Sequence, residues 1–201
     1  MSSPEIYIPV NHVRVLTAAS LFDGHDVAIN IMRRLLQDSG AEVIHLGHNR
    51  SAAEIVNAAI QEDVQAIAVS SYQGGHVEFF KLIMDLLHAQ GAGPIKVFGG
   101  GGGVIVPAEI TQIEGFGVSK IFSPEDGRQM GLQGIINHIL KASDVPLETA
   151  GIATRAQELS PSQNFLIGRY ITAIEEAKVL SDSRLQALTE PLMKKISRNI
   201  P

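Results

Sequence analysis

Asp23, Gly24, His25 and Asp26 put two carboxylates around one imidazole within four residues. Asp23, two residues before the histidine, can accept a hydrogen bond from one ring nitrogen and leave the other free to coordinate a metal. The plainer alternative is a polar turn in which Asp26 caps a helix. Further along, Ser70-Ser71-Tyr72-Gln73-Gly74-Gly75-His76 offers hydroxyls that could bind a buried polar ring or a phosphate, and paired glycines that let a ligand approach the backbone. Gly99 to Gly103 are five consecutive glycines. In ordered structure each costs about 0.5–1 kcal/mol against alanine, more than a merely connecting loop warrants. Such a run suits a phosphate cradle or a floor for a large flat ligand. No Gly-Lys-Ser/Thr follows it, so the flat ligand is preferred. Ser123-Pro124-Glu125-Asp126-Gly127 is a fourth polar stretch, in which Pro124 keeps Ser123 extended and the acidic pair opens a helix favourably. His45 and His48 could pair on a metal but lack an evident third ligand.

These four stretches act together only if the fold gathers them. Short apolar runs at Val13–Ala18, Glu42–Leu46, Ala66–Ser70, Ile95–Phe98 and Lys120–Phe122 predict strands. Amphipathic segments at Asp26–Asp38, Ala52–Glu62, His76–Ala89, Pro107–Glu114 and Asp126–Leu140 predict helices between and after them. Ser51 with Glu54 makes a capping box, and Gly40 and Gly91 stand just past helix ends. Alternation of this kind predicts an α/β fold: a flavodoxin-like (Rossmann-like), doubly wound, five-stranded parallel sheet of order 2-1-3-4-5. Ligands of such sheets bind at the carboxyl edge, beside the ends of the first and third strands. His25 and Ser70 fall at those two ends.

After Leu140 the texture changes. Residues 1–12 read as a lead-in, 13–141 as the sheet domain and 142–201 as a linker with a helical extension. Ser160-Pro161 is an expected helix start. Leu166, Ile167, Tyr170, Ile171 and Ile174 form one apolar stripe, and Leu185, Leu188, Leu192 and Ile196 another. The abrupt stop at Ile200-Pro201 is what a piece of a larger enzyme would show.

Composition narrows the function further. A net charge of −5 and scattered basic residues argue against nucleic acid as a partner. With no cysteine there is no disulfide scaffold, thiolate-bound zinc or cysteine nucleophile, in keeping with a reducing cytoplasm. No apolar stretch is long enough to span a membrane, and no signal peptide opens the chain.

The ordered motifs resemble those of a known family. Asp-x-His-x-x-Gly, Ser-x-Leu and Gly-Gly mark the cobalamin-binding domain. Here they are Asp23-Gly24-His25-Asp26-Val27-Ala28, Ser70-Ser71-Tyr72 and Gly99-Gly100. Asp-Gly-His-Asp together with Gly102-Gly103-Val104-Ile105-Val106-Pro107 is most similar to the adenosylcobalamin-dependent acyl-CoA mutase branch, in its fused form, where a GTPase domain and a mutase barrel follow. Ala28 replaces the last motif glycine and Tyr72 the leucine. The resemblance implies adenosylcobalamin, a cobalt corrinoid, bound base-off with His25 as the lower axial ligand. Around it would lie Asp23, Gly24, Asp26 and Val27. Ser70, Ser71 and Gly99 to Gly102 would line the slot for the detached nucleotide tail, Tyr72 would lie below the ring, and Ser123 would touch the ligand's periphery. Gly75 and His76 would stand at the corrin edge. It further implies carbon-skeleton isomerisation, such as isobutyryl-CoA to n-butyryl-CoA, carried out with an acyl-CoA-binding barrel as partner, no catalytic residue in this chain, and no activity of the chain alone. A corrinoid methyl carrier or cobalamin-dependent sensor would place a helical domain ahead of the sheet, and a glutamate-type mutase small subunit would share the cofactor chemistry. A response-regulator receiver would want an aspartate where Ser70-Ser71 stands.

Overall fold

The computed structural model describes residues 4–147, 149, 151–179 and 184–199, which form two compact units, Met1–Pro146 and Leu147–Pro201. In the first unit, β1 (Arg14–Ala19), β2 (Glu42–His45), β3 (Ala66–Ser70), β4 (Lys96–Gly100) and β5 (Lys120–Phe122) make one parallel sheet of order 2-1-3-4-5. Every residue of β3 and all but the first of β1 are buried, as expected of central strands covered on both faces. Helices α1 (Asp26–Asp38), α2 (Ala52–Gln61), α3 (His76–Ala89), α4 (Pro107–Gly115) and α5 (Pro124–Ser143) supply the cover. On one face Leu36 of α1 and Ile135, Ile136, Ile139 and Leu140 of α5 pack against Val13, Val15, Ala68 and Phe98. On the other, α2 packs on α3 and α3 on α4.

Several boundaries shift by one to three residues from the sequence expectation, β1 for instance running Arg14–Ala19 instead of Val13–Ala18, and two of the shifts have a clear local reason. β4 continues through Gly99 and Gly100, which pair with Val69 and Ser70 of β3, so the first two glycines of the run are strand and not loop. α5 begins at Pro124 instead of Asp126, because Ser123 and Asp126 close a capping box over its first turn. It is interrupted at Gly131, where φ 65° and ψ 172° are open only to glycine.

Register sets the height of the loops. Ser70 at the end of β3 lies level with Ala19 of β1 and Gly100 of β4. The loops after β1, β3 and β4 therefore leave the sheet side by side.

The second unit contains a 3-10 turn (Ile152–Glu158), α6 (Asn164–Val179) and α7 (Arg184–Asn199) around Ile152, Ala156, Leu166, Tyr170, Ala173, Ala177 and Leu188. Ser160-Pro161 does not start a helix. It forms a turn closed by the Gln163 amide on the Ser160 carbonyl at 2.9 Å, with proline at its second position. In the α6 stripe Ile171 points outward, 51% exposed, and small Ala173 and Ala177 take the inner positions. In the α7 stripe the side chain of Ile196, like the Ile200-Pro201 end, lies outside the described residues. Among the described residues no helix is long and apolar enough to cross a membrane.

Candidate functional site

The loop after β1 turns at Phe22, whose φ of 63° is unusual for a non-glycine residue. That turn carries Asp23 back into the protein, where it is fully buried. One carboxylate oxygen accepts the His25 amide at 2.8 Å and lies 2.9 Å from His25 Nδ1, while the other accepts the Tyr72 amide at 2.6 Å. Burial works to raise the Asp23 pKa, but the three hydrogen bonds outweigh it and hold the carboxyl below its ordinary value. An ionised carboxylate at Nδ1 requires the proton on that nitrogen, so Nε2 carries the lone pair. The imidazole side chain is 63% exposed, which leaves Nε2 open to a ligand. Here the structure corrects one expectation: His25, not Asp26, occupies the N-cap position of α1, and no side chain caps that helix. Gly24 and Val27 are exposed and Asp26 half-buried.

After β3 the two serines face different surroundings. Ser70 Oγ is buried with no hydrogen-bond partner among the described residues. Ser71 Oγ accepts from Ser20 Oγ at 3.0 Å and lies 2.9 Å from His76 Nδ1. His76 is only 2% exposed, and burial pushes its pKa down. Tyr72 turns toward the edge, its ring centroid 5.4 Å from that of His25. Gly75, at φ 80°, makes the turn into α3.

The glycine run is shaped first by the protein's own packing, which corrects the expectation of a plain ligand floor. A Cβ on Gly99 would stand 2.4 Å from Phe80 Cζ, and one on Gly101 would stand 2.1 Å from the Ser71 carbonyl oxygen. At Gly102, φ 57°, it would meet the Tyr72 ring at 2.5 Å. Gly100 alone of these four has ordinary clearance, 3.4 Å to the Phe122 carbonyl oxygen.

Above these residues lies a cavity of about 300 Å³ between the sheet and helices α1 and α5. Ser70 and Gly99 to Gly102 line it together with Tyr72 and Ser123, whereas Ser71, expected in the slot, is not part of its lining. Ala28, already marked by its place in the first motif, is joined in an apolar wall by Met32, Phe122, Leu132 and Ile135, none of which the sequence assigned to the site. The available signal was the spacing of Ala28 and Met32, one turn apart on the inner face of α1. Ser123 Oγ is engaged in the α5 capping box with Asp126. Tyr72 joins the two halves of the site, since it lines the cavity and also touches His25 and Asp23. Neither Gly75 nor His76 is part of the cavity lining. Among the described residues no cluster of metal-ligating side chains is formed, and His45 Nδ1 pairs with Thr17 Oγ1 at 2.9 Å instead of with His48.

The arrangement combines one open imidazole nitrogen, fixed by a buried carboxylate, with an apolar slot that ends on an unpaired hydroxyl. Comparison with known proteins bears on what fills it. The B12 binding domain family matches residues 13–125. The fused isobutyryl-CoA mutase of Geobacillus kaustophilus is 62% identical over 85% of this chain, which spans only 16% of that relative's length. The 2-hydroxyisobutanoyl-CoA mutase small subunit of Aquincola tertiaricarbonis is 38% identical over 54% of this chain and 79% of its own. A cobalamin-binding protein from Desulfitobacterium hafniense shares the fold, with a TM-score of 0.54 at 21% identity over 65% of this chain and 58% of that one.

Proposed function

Because this chain belongs to the B12 binding domain family, we propose that it holds adenosylcobalamin base-off for an acyl-CoA mutase, with His25 Nε2 as the lower axial ligand. The observation that carries this most is the His25–Asp23 pair: a ring fixed through Nδ1 by a buried carboxylate, with its other nitrogen facing out. A neutral imidazole suits a cobalt centre, and a carboxylate behind it raises its basicity and fixes its direction.

The residues around the slot fit the same group. The unpaired Ser70 hydroxyl needs a partner that the protein does not supply, and a heteroaromatic nucleotide tail has acceptors for it. The apolar wall around it takes the flat part of such a tail, and Gly100 leaves room at the strand. Asp23 holds the histidine tautomer, and its bond to the Tyr72 amide keeps the two edge loops together. When bound, the cofactor supplies cobalt–carbon homolysis and the radical rearrangement that follows. The acyl-CoA would be held by a barrel in the same polypeptide, as the fused relatives' lengths suggest, or by a separate subunit, as the small-subunit relatives' names suggest. A GTPase domain belongs to the same proposal, as do a carbon-skeleton substrate of the isobutyryl-CoA kind and a cytoplasmic setting.

Titration of the purified chain with adenosylcobalamin in the dark, beside His25→Ala, tests it. A base-off, histidine-ligated spectrum in the wild type that is lost in the variant is expected. Binding that is insensitive to His25→Ala would overturn the ligand assignment, and no binding would overturn the cofactor role of the isolated chain.

A further inference from the structure

We propose that His76, which does not line the slot, is a positioning residue that fixes the Asp23–His25 pair by way of Ser71 and Ser20. This rests on the cobalamin reading above. Ser71 sits where the edge loops cross. Its amide donates to the Gly100 carbonyl at 2.8 Å, and its carbonyl oxygen occupies the space that a Cβ on Gly101 would need. Its hydroxyl accepts the Ser20 proton at 3.0 Å, which leaves its own proton free to go to His76 Nδ1, 2.9 Å away. Ser20 in turn donates its amide to the Ser70 carbonyl at 2.9 Å, and its own backbone carbonyl accepts the Asp23 amide at 3.0 Å. Hydrogen bonds from the first residue of α3 therefore reach the Ser20 side chain, and the backbone of that same serine holds the aspartate that orients His25.

Direction matters in this chain. His76 can accept from Ser71 only as the neutral ring with Nδ1 unprotonated, and burial favours the neutral state of the ring. Ser20, Ser71 and His76 are all nearly inaccessible, at 3%, 2% and 2% exposure, so no water can readily replace a lost partner. Ser71 also stands between Ser70, which points into the slot, and Tyr72, whose amide holds Asp23. Loss of the His76 bond should thus loosen both halves of the site, although His76 touches neither.

Three variants of the full chain test this. His76→Phe keeps a buried ring and removes the bond, Ser71→Ala removes it from the other end, and His76→Asn keeps an acceptor at the Nδ1 position. In the cofactor-free protein, amide hydrogen exchange of residues 20–26 should accelerate about tenfold in His76→Phe and Ser71→Ala and return toward wild type in His76→Asn. With adenosylcobalamin, the first two should bind about tenfold more weakly and show a smaller histidine-ligated fraction, again restored by asparagine. Should His76→Phe fail to fold, Ser71→Ala carries the test. Unchanged exchange and an unchanged spectrum in Ser71→Ala would overturn the coupling. A wild type that binds no cobalamin would instead overturn the cofactor reading, and the exchange measurement would still decide the coupling.

Discussion

Ser70 is the residue at which folding and binding pull apart. Its neighbours in β3 are apolar and packed, yet its hydroxyl is buried without a partner, a cost of about 1–3 kcal/mol that the cofactor-free protein bears alone. Replacement by alanine removes the hydroxyl and leaves no large cavity. Ser70→Ala is therefore expected to make the cofactor-free chain slightly more stable, by about 1 kcal/mol in denaturant unfolding, while weakening cobalamin binding about fivefold or more. Loss of stability together with unchanged affinity would show that the hydroxyl serves the fold and not a ligand. His25 presents no such conflict, because an exposed ring costs the fold nothing while its partner Asp23 is fully satisfied.

At the scale of elements, the five strands and five helices of the sheet unit were legible because each keeps one period and is bounded by caps or glycines that say where to stop. The Asp23–His25 contact was legible too, since two residues of separation leave few other geometries. The glycine run was only half legible. Its sequence says that side chains are excluded, but whether by a ligand or by Phe80, the Ser71 carbonyl and the Tyr72 ring depends on neighbours far away in the chain. The inward turn of His76 was hidden for the same reason, because its partner Ser71 becomes one only once α3 is seated. The two middle glycines now separate the roles. Gly101→Ala forces a methyl into a backbone carbonyl and is expected to destabilise the fold by about 2 kcal/mol or more. Gly100→Ala meets only ordinary contacts, so it should leave the unfolding midpoint nearly unchanged while narrowing the slot and weakening cobalamin binding. Equal loss of stability in both variants would show that this stretch of glycines is purely structural.

For the sheet unit as a whole, the described part of the lead-in, residues 4–12, is tied to the end of α5 by one carboxylate. Asp144 accepts the Tyr7 hydroxyl at 2.6 Å, the Val10 amide at 2.8 Å, and both the amide and the side chain of Asn11 at 2.8 Å. Asn137 holds the same arm by accepting the Tyr7 amide at 3.0 Å and donating to the Glu5 carbonyl at 2.7 Å. Tyr7 then packs against the core face shared by α1 and α5, with Lys141 Nζ 5.4 Å from its ring centroid. Partial burial would raise the Asp144 pKa, but the bonds from Tyr7, Val10 and Asn11 overcome it and bring the carboxyl from 3.8 to about 2. A group whose folded pKa is depressed stabilises the fold fully above its unfolded value, and the contribution fades as the pH falls toward the folded one. The clasp should therefore hold at full strength above about pH 4 and be lost between there and about pH 2. Asp144→Asn is expected to lower stability by about 1 kcal/mol at neutral pH, a modest figure because the site is partly solvated and screened. Denaturant unfolding followed by circular dichroism from pH 7 to 2 checks this: the gap between wild type and variant should close as the pH falls. A gap that stayed constant down to pH 2 would mean that the aspartate's charge plays no part in holding the arm.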